Sequence, residues 1–257
     1  MPLLCSGQSD KGLVRKSNQD SILINSSQKC FVVADGMGGH RGGDIASQLT
    51  IQVLADHLDK MPLKTPNKIT LIKEIIQDAN RIIFEKSQTV EHLKGMGTTI
   101  VALMIEKSKA YIANVGDSRA YLINNEQIYQ LTRDHSLVQE KIHLGISNRE
   151  EAAKDRMKNI LVRTLGYEEV VHVDIFEYSI SKNDIFLICS DGLYGKIYDD
   201  EILAIVNKNI PKPDDATLEN LDKTIQELID TANKYGGNDN ISIIMALAQA
   251  KDEETKV

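Results

Sequence analysis

The sequence predicts an α+β layered sandwich built on antiparallel sheets, and three observations carry that expectation. Short runs rich in β-branched and aliphatic residues recur in both halves, at positions 21–24, 30–34, 99–105, 110–115, 120–123, 171–178, 184–189 and 241–247. Several are joined by only a few polar residues, such as Glu106-Lys107-Ser108-Lys109 and Asn124-Asn125-Glu126-Gln127. Links that short join antiparallel neighbours, because a parallel crossover needs about a dozen residues or more. The helical periods are segregated from the strands rather than alternating with them, which argues against a doubly wound parallel sheet.

In the first helical stretch Ile45, Leu49 and Val53 step by four beside Ala46, Thr50 and Leu54, with Asp44 the expected N-cap and Pro62 the stop. Ile69, Ile72, Ile76, Ala79 and Ile83 form a second stripe. Leu218, Leu221, Ile225, Leu228, Ile229 and Ala232 form a third, ended by Gly236-Gly237. Between Thr132 and Leu165 the strand signal disappears, and Ser147-Asn148-Arg149-Glu150 has the form of a capping box opening a short helix. This stretch, about 133–164, reads either as a mobile flap or as an ordinary helical connector. One domain is expected over 1–250, followed by a charged tail at 251–257.

The chain has 257 residues, 42% of them hydrophobic, enough for a sizeable core. Its formal charge is -7, and no basic run exceeds a dipeptide, so the electrostatic footprint of a nucleic-acid binder is missing. Cys5, Cys30 and Cys189 are an odd set without short spacing, which suggests reduced core thiols and a cytoplasmic setting. No signal peptide or membrane-spanning run is expected. A monomer is the expectation, since no helix carries a leftover apolar stripe.

Function is signalled by five dispersed acids. Asp20, Asp35, Asp117, Asp191 and Asp239 each sit beside an apolar run and a Gly, Asn or Gln. Loops at strand ends can gather such carboxylates, and an oxygen cluster without His or Cys suits hard divalent cations. Taken singly, Asn18-Gln19-Asp20 also reads as a polar turn, and Gly116-Asp117 equally well as a hairpin tip. The loop Asp35-Gly36-Met37-Gly38-Gly39-His40 carries more glycine than a plain turn needs, which points to a close backbone approach or a ligand.

Taken together, the segments resemble a known family. Arg15 with Asn18-Gln19-Asp20, Asp35-Gly36-Met37-Gly38-Gly39-His40, Gly95-Met96-Gly97-Thr98-Thr99, Gly116-Asp117-Ser118-Arg119-Ala120-Tyr121, Leu131-Thr132-Arg133-Asp134-His135-Ser136, Ser190-Asp191-Gly192-Leu193 and Asp239-Asn240 stand in the order seen in metal-dependent protein phosphatases of the protein phosphatase 2C (PPM) class, compact bacterial type. The resemblance spans roughly positions 7 to 248.

It implies a four-layer αββα sandwich, two antiparallel sheets flanked by helices with a small helical flap. It implies hydrolysis of phosphoserine or phosphothreonine on other proteins, reversing a Ser/Thr kinase, by a water activated between two Mn²⁺ or Mg²⁺ ions and without a covalent intermediate. Asp35, Asp191, Asp239 and the Gly36 carbonyl would hold those ions, Asp20 would act through water, and Asp117 with Asp191 matches a third, weaker site. Arg15 would bind the phosphate through its planar fork. Position 37 is Met where many eukaryotic members carry His, and bacterial relatives share that Met. The proton donor is thereby left open between His40, which reads equally as a capping or supporting residue, and a metal-bound water. His135 is expected to anchor the start of the flap.

The alternatives are a catalytically silent phosphoprotein-binding relative, a structural Ca²⁺ protein, a two-metal nuclease and a phosphatase acting on anti-sigma-factor antagonists. All five acids are present, no local Asp-x-Asp-x-Asp-Gly loop occurs, no basic groove is encoded and no attached sensor domain has room, which weighs against each in turn.

Overall fold

The structure is a computed structural model and describes residues 3–37, 42–60, 62, 67–148, 151 and 155–249. His40, Arg149, Glu150 and the tail at 251–257, all named above, lie outside the described residues. In chain order the strands and helices are β1 (Leu3–Asp10), β2 (Asp20–Asn25), β3 (Cys30–Met37), α1 (Gly43–Lys60), α2 (Lys68–Thr89), β4 (Gly97–Thr98), β5 (Ile100–Glu106), β6 (Lys109–Val115), β7 (Arg119–Asn124), β8 (Gln127–Gln130), α3 (Leu137–His143), β9 (Asp174–Ser179), β10 (Ile185–Cys189), α4 (Asp191–Tyr194), α5 (Asp199–Asn209), α6 (Leu218–Lys234) and β11 (Ile241–Ala248). No described helix is long and apolar enough to cross a membrane.

One sheet has the order β1-β11-β10-β7-β8, the other β2-β3-β5-β6-β9 with β4 beside β3. Every strand pairing within the two sheets is antiparallel. The alternation along the strands sorts side chains into three apolar layers. Phe31, Val33, Val101, Leu103 and Ile112 of one sheet meet Leu122, Phe186, Ile188, Ile244 and Ala246 of the other. Val32 and Ala102 face the opposite way, onto Leu54, Ile72, Ile76 and Ile83 of α1 and α2. Leu187, Ile243 and Met245 likewise face Ile202, Val206, Ile225 and Leu228 of α5 and α6. The central strands are thus buried on both faces, which is why they read as continuous apolar runs. Each fully buried aliphatic side chain contributes about 1.5–3 kcal/mol to this packing. The architecture is the αββα sandwich that the sequence implies, and Cys30 and Cys189 are buried thiols in different outer layers.

Local details differ from the sequence reading for identifiable reasons. Asp44 is not the N-cap: α1 begins at Gly43, so Asp44 lies in the first turn, where the helix dipole favours a carboxylate. The reciprocal cap near 148 is shifted by one, with the Glu151 amide donating to Asn148 Oδ1 at 2.9 Å and the Asn148 amide to the Glu151 carboxylate at 3.1 Å. The Gly116-Asp117 turn is not a hairpin tip. It carries the chain from β6 in one sheet to β7 in the other.

Candidate active site

Antiparallel pairing places all five acids at one end of the sandwich. Asp20 opens β2 and is the direct cross-strand partner of Asp35 near the end of β3. Asp117 sits in the crossing from β6 to β7. Asp191 follows β10, whose last residue pairs with Arg119 at the start of β7 and with Ile243 of β11. Asp239 immediately precedes β11. A cavity of about 220 Å³ opens there, lined by Asp35, Gly36, Asp117, Asp191 and Asp239, together with Arg15, Gln19, Met37, Thr99, Asn159, Leu161 and Asn240.

Asp20 stands behind this cavity, 8% exposed. Ser190 Oγ donates to its Oδ2 at 2.7 Å and accepts from the Ser242 amide at 3.0 Å. Burial outweighs those hydrogen bonds and pushes Asp20 up to about 6. Asp35 and Asp191 are held well above the usual carboxylate range, first by burial and then by repulsion from the neighbouring carboxylates. Asp117 is pushed up to about 6, by burial and then by Asp134. These three line the cavity and are only partly buried, so solvent there screens part of their mutual repulsion.

The backbone at Asp35 is tied down on both sides. Its amide donates to Thr99 Oγ1 at 3.0 Å, and its carbonyl accepts from the Thr99 amide at 2.9 Å and Thr98 Oγ1 at 2.8 Å. Gly36 is required next, because a Cβ there would stand 2.0 Å from the Gly43 carbonyl oxygen and 2.6 Å from that of Gln19. On the other side Asn240 laces two distant loops together. Its Oδ1 accepts from the Gln19 amide at 2.8 Å, and its Nδ2 donates to the carbonyls of Lys11 and Ser17 at 2.9 and 3.1 Å. Arg15 emerges from the loop so held, and its Nη2 lies 2.6 Å from Asp239 Oδ2.

The segment 133–164 enters the site through its return arm, which supplies Asn159 and Leu161 to the cavity wall. Its two roots are pinned together: the Val162 amide donates to the His135 carbonyl at 2.9 Å and the Leu137 amide to that of Ile160 at 2.8 Å. His135 is 3% exposed, and burial lowers its pKa. The anchoring role expected for it agrees with these contacts.

The chain matches the family model for protein phosphatase 2C over residues 6–241. It belongs to the protein phosphatase 2C family. A similar protein, serine/threonine phosphatase stp of Listeria monocytogenes serotype 4b, is 39% identical over 243 residues, covering 93% of each chain. The crystal structure of the serine/threonine phosphatase Stp1 from Staphylococcus aureus is similar with a TM-score of 0.88 and 32% identity, covering 97% of this chain and 96% of that one. The catalytic domain of the serine/threonine protein phosphatase PstP, in complex with two manganese ions, is similar with a TM-score of 0.83 and 30% identity over 96% of this chain and 99% of that one. This chain is therefore a phosphatase of the protein phosphatase 2C type.

The donor set of this protein phosphatase 2C chain fits a divalent cation. Among the described lining residues the one cationic side chain is Arg15, committed to Asp239, so the repulsion that raises Asp35 and Asp191 is left uncompensated. Among the described residues no three His, Cys, Asp or Glu groups stand close enough together to hold a metal ion by themselves. The carboxylates ring an open cavity instead, and such an arrangement suits ions that keep several water ligands, as Mg²⁺ does.

The structure thus brings Arg15, Asp35, Gly36, Asp117, Asp191 and Asp239 to one cavity and sets Asp20 behind it, while His40 lies outside the described residues. Sequence reasoning placed Thr99 and Ser118 within motifs without giving either a role, and did not single out Ser242, Asn159 or Leu161. Ser242 carries no signal beyond a hydroxyl near a strand end, and the last two become neighbours of the acids only through the fold.

Proposed function

We propose that this protein hydrolyses phosphoserine and phosphothreonine on other proteins with Mn²⁺ or Mg²⁺, opposing a Ser/Thr kinase. The observation that carries the reading is the cavity in which four carboxylates and one arginine converge at the end of the sandwich. The manganese ions in the similar PstP structure support the choice of metal.

Asp35, Asp191, Asp239 and the Gly36 carbonyl would hold two ions, and Asp117 with Asp191 would hold a third more weakly. Bound there, the ions supply Lewis acidity and lower the pKa of water enough to provide hydroxide near neutral pH. Asp20 accepts from Ser190 at 2.7 Å and would support the ions through water. Arg15 is placed to exchange its contact with Asp239 for the non-reacting oxygens of the phosphate, which its fork grips two at a time. Among the described lining residues the one hydroxyl, Thr99 Oγ1, already bonds the Asp35 amide and Ser118 Oγ, which favours water over a side chain as nucleophile. Met37 lines the cavity and its thioether has no proton to give. The leaving alcohol therefore takes its proton from another group, and the open cavity admits water for that purpose. The strands of both sheets come from both halves of the chain, and β1 pairs with β11, which supports a single catalytic domain over 1–250.

Release of phosphate from a phosphothreonine peptide, measured with Mn²⁺, Mg²⁺ and EDTA, tests the reading. Metal-dependent release supports it. Activity untouched by EDTA, or restricted to nucleic acid, overturns it.

A further inference from the structure

We propose that His135 is the positioning residue for Asp117, acting through the Gly116 peptide rather than on substrate. The proposal rests on the reading of Asp117 as a ligand given above. Gly116 has φ 106°, in the region that glycine alone enters freely, so nothing in its own side chain fixes the turn. His135 supplies the constraint from outside. Its Nδ1 accepts from the Gly116 amide at 3.0 Å, and its own amide donates to the Gly116 carbonyl at 2.9 Å. A residue gripped at both its N–H and its C=O cannot reorient, and that carbonyl belongs to the peptide plane that begins Asp117. The Asp117 carbonyl is in turn held by Tyr194 Oη at 2.9 Å.

The same contacts settle the state of the ring. A peptide N–H is always a donor, so Nδ1 is bare and a neutral ring carries its proton on Nε2, which faces Asp174 Oδ2 at 3.2 Å and also lies 3.0 Å from Arg163 Nη1, a meeting of two donors that the Asp174 carboxylate between them offsets. Arg163, on the return arm of the 133–164 segment, holds the other oxygen of Asp174 at 2.7 Å. One buried ring therefore joins three things: the turn that carries Asp117, the return arm that carries Asn159 and Leu161 into the same cavity, and an acceptor on β9 that fixes its tautomer. The turn that carries Asp117 and the arm are thereby tied to the same ring.

Two conservative variants separate this role from simple packing. In His135→Asn the amide oxygen takes the place of Nδ1 and retains an acceptor for Gly116. In His135→Gln the amide nitrogen takes the place of Nε2 and reaches Asp174, leaving Gly116 without one. Amide hydrogen exchange resolved at Gly116, in metal-free protein, should quicken by about tenfold in the Gln variant, the size of one lost hydrogen bond, and stay near wild type in the Asn variant. The weakest step in a Mn²⁺ titration should weaken by about the same factor in the Gln variant only. Equal behaviour of the two variants in either measurement overturns the proposal in favour of a packing role. A wild-type titration without a third step also overturns it, by removing Asp117 as a ligand, while leaving the two-ion reading to stand on its own. Should either variant fail to fold, Asp174→Ala at the more open end of the ring carries the test. It frees the tautomer, so Gly116 exchange should rise, and unchanged exchange would contradict the proposal.

Discussion

Gly192 packs directly on the backbone of Asn240: a Cβ at position 192 would stand 1.9 Å from the Asn240 carbonyl oxygen. This contact sets the turn that carries Asp191 against the loop that carries Asp239. Glycine is needed here for proximity, since only a residue without a side chain lets two backbones approach so closely. Gly192→Ala must push the loops apart and should cost more than about 2 kcal/mol in urea unfolding. It should also depress turnover more than a substitution of equal stability cost in the outer helices would.

The carboxylate cluster makes the metal-free protein sensitive to pH in an unusual direction. Asp20 moves from the ordinary 3.8 to about 6 on folding because it is buried, and Asp35, Asp117 and Asp191 move the same way. The folded state thus binds these protons more tightly than the unfolded one. Their contribution to stability is fully present below the ordinary carboxylate value and is lost as pH rises through 6, at about 1.4 kcal/mol for each tenfold difference in proton affinity between the folded and unfolded chain. In EDTA the thermal midpoint should fall between pH 5 and pH 7. Mn²⁺ should restore more at pH 7 than at pH 5, because at pH 7 it binds carboxylates already ionised. An EDTA midpoint that rises over this range would contradict the assignment.

Arg15→Ala should raise KM for phosphopeptide by about tenfold or more with a smaller effect on kcat, because the phosphate loses a charged bidentate partner. Arg15→Lys should recover little of this, since an ammonium reproduces the charge but not the fork. Steady-state kinetics on the two variants decide the point, and an unchanged KM would exclude the role.

The Arg119–Asp134 pair supports the Asp117 turn from below. Arg119 Nε and Nη2 lie 3.0 and 2.7 Å from the two Asp134 oxygens, and its guanidinium carbon stands 3.6 Å from the ring centre of Tyr194, whose hydroxyl holds Asp117. Asp134 is 7% exposed. Asp134→Ala leaves the partly buried guanidinium without its carboxylate and should cost about 1–3 kcal/mol in equilibrium unfolding.

Four of the acids were legible in the sequence because they lie near the end of, follow or precede strands that are largely buried, so the apolar run and the abrupt carboxylate stand side by side, whereas Asp20 opens the half-buried edge strand β2 and reads as a polar turn when taken alone. Other elements left weaker traces. β1 reads Leu-Leu-Cys-Ser-Gly-Gln-Ser-Asp, with little strand propensity, and forms because all eight residues pair with β11. Helix α5 went unread because Tyr198 precedes it instead of a capping Ser, Thr, Asp or Asn, although Ile202, Ile205 and Val206 carry the helical period. The change of sheet at Gly116-Asp117 was invisible, since a short turn between two strands looks the same whether they pair or not. The support of Asp20 by Ser190 and Ser242 joins residues that only the folded sheets bring together.

The central claim is that Asp191 acts through bound metal rather than through the fold. It is tested most directly by phosphothreonine-peptide hydrolysis in Mn²⁺ with Asp191→Asn and wild type side by side, each checked by its thermal midpoint. Loss of a ligand charge is expected to lower turnover on the order of a thousandfold or more, as removal of several kcal/mol of transition-state stabilisation does. The metal-free variant should melt no lower than wild type, because one repelled carboxylate has gone. Wild-type turnover in a folded Asp191→Asn protein would contradict the account.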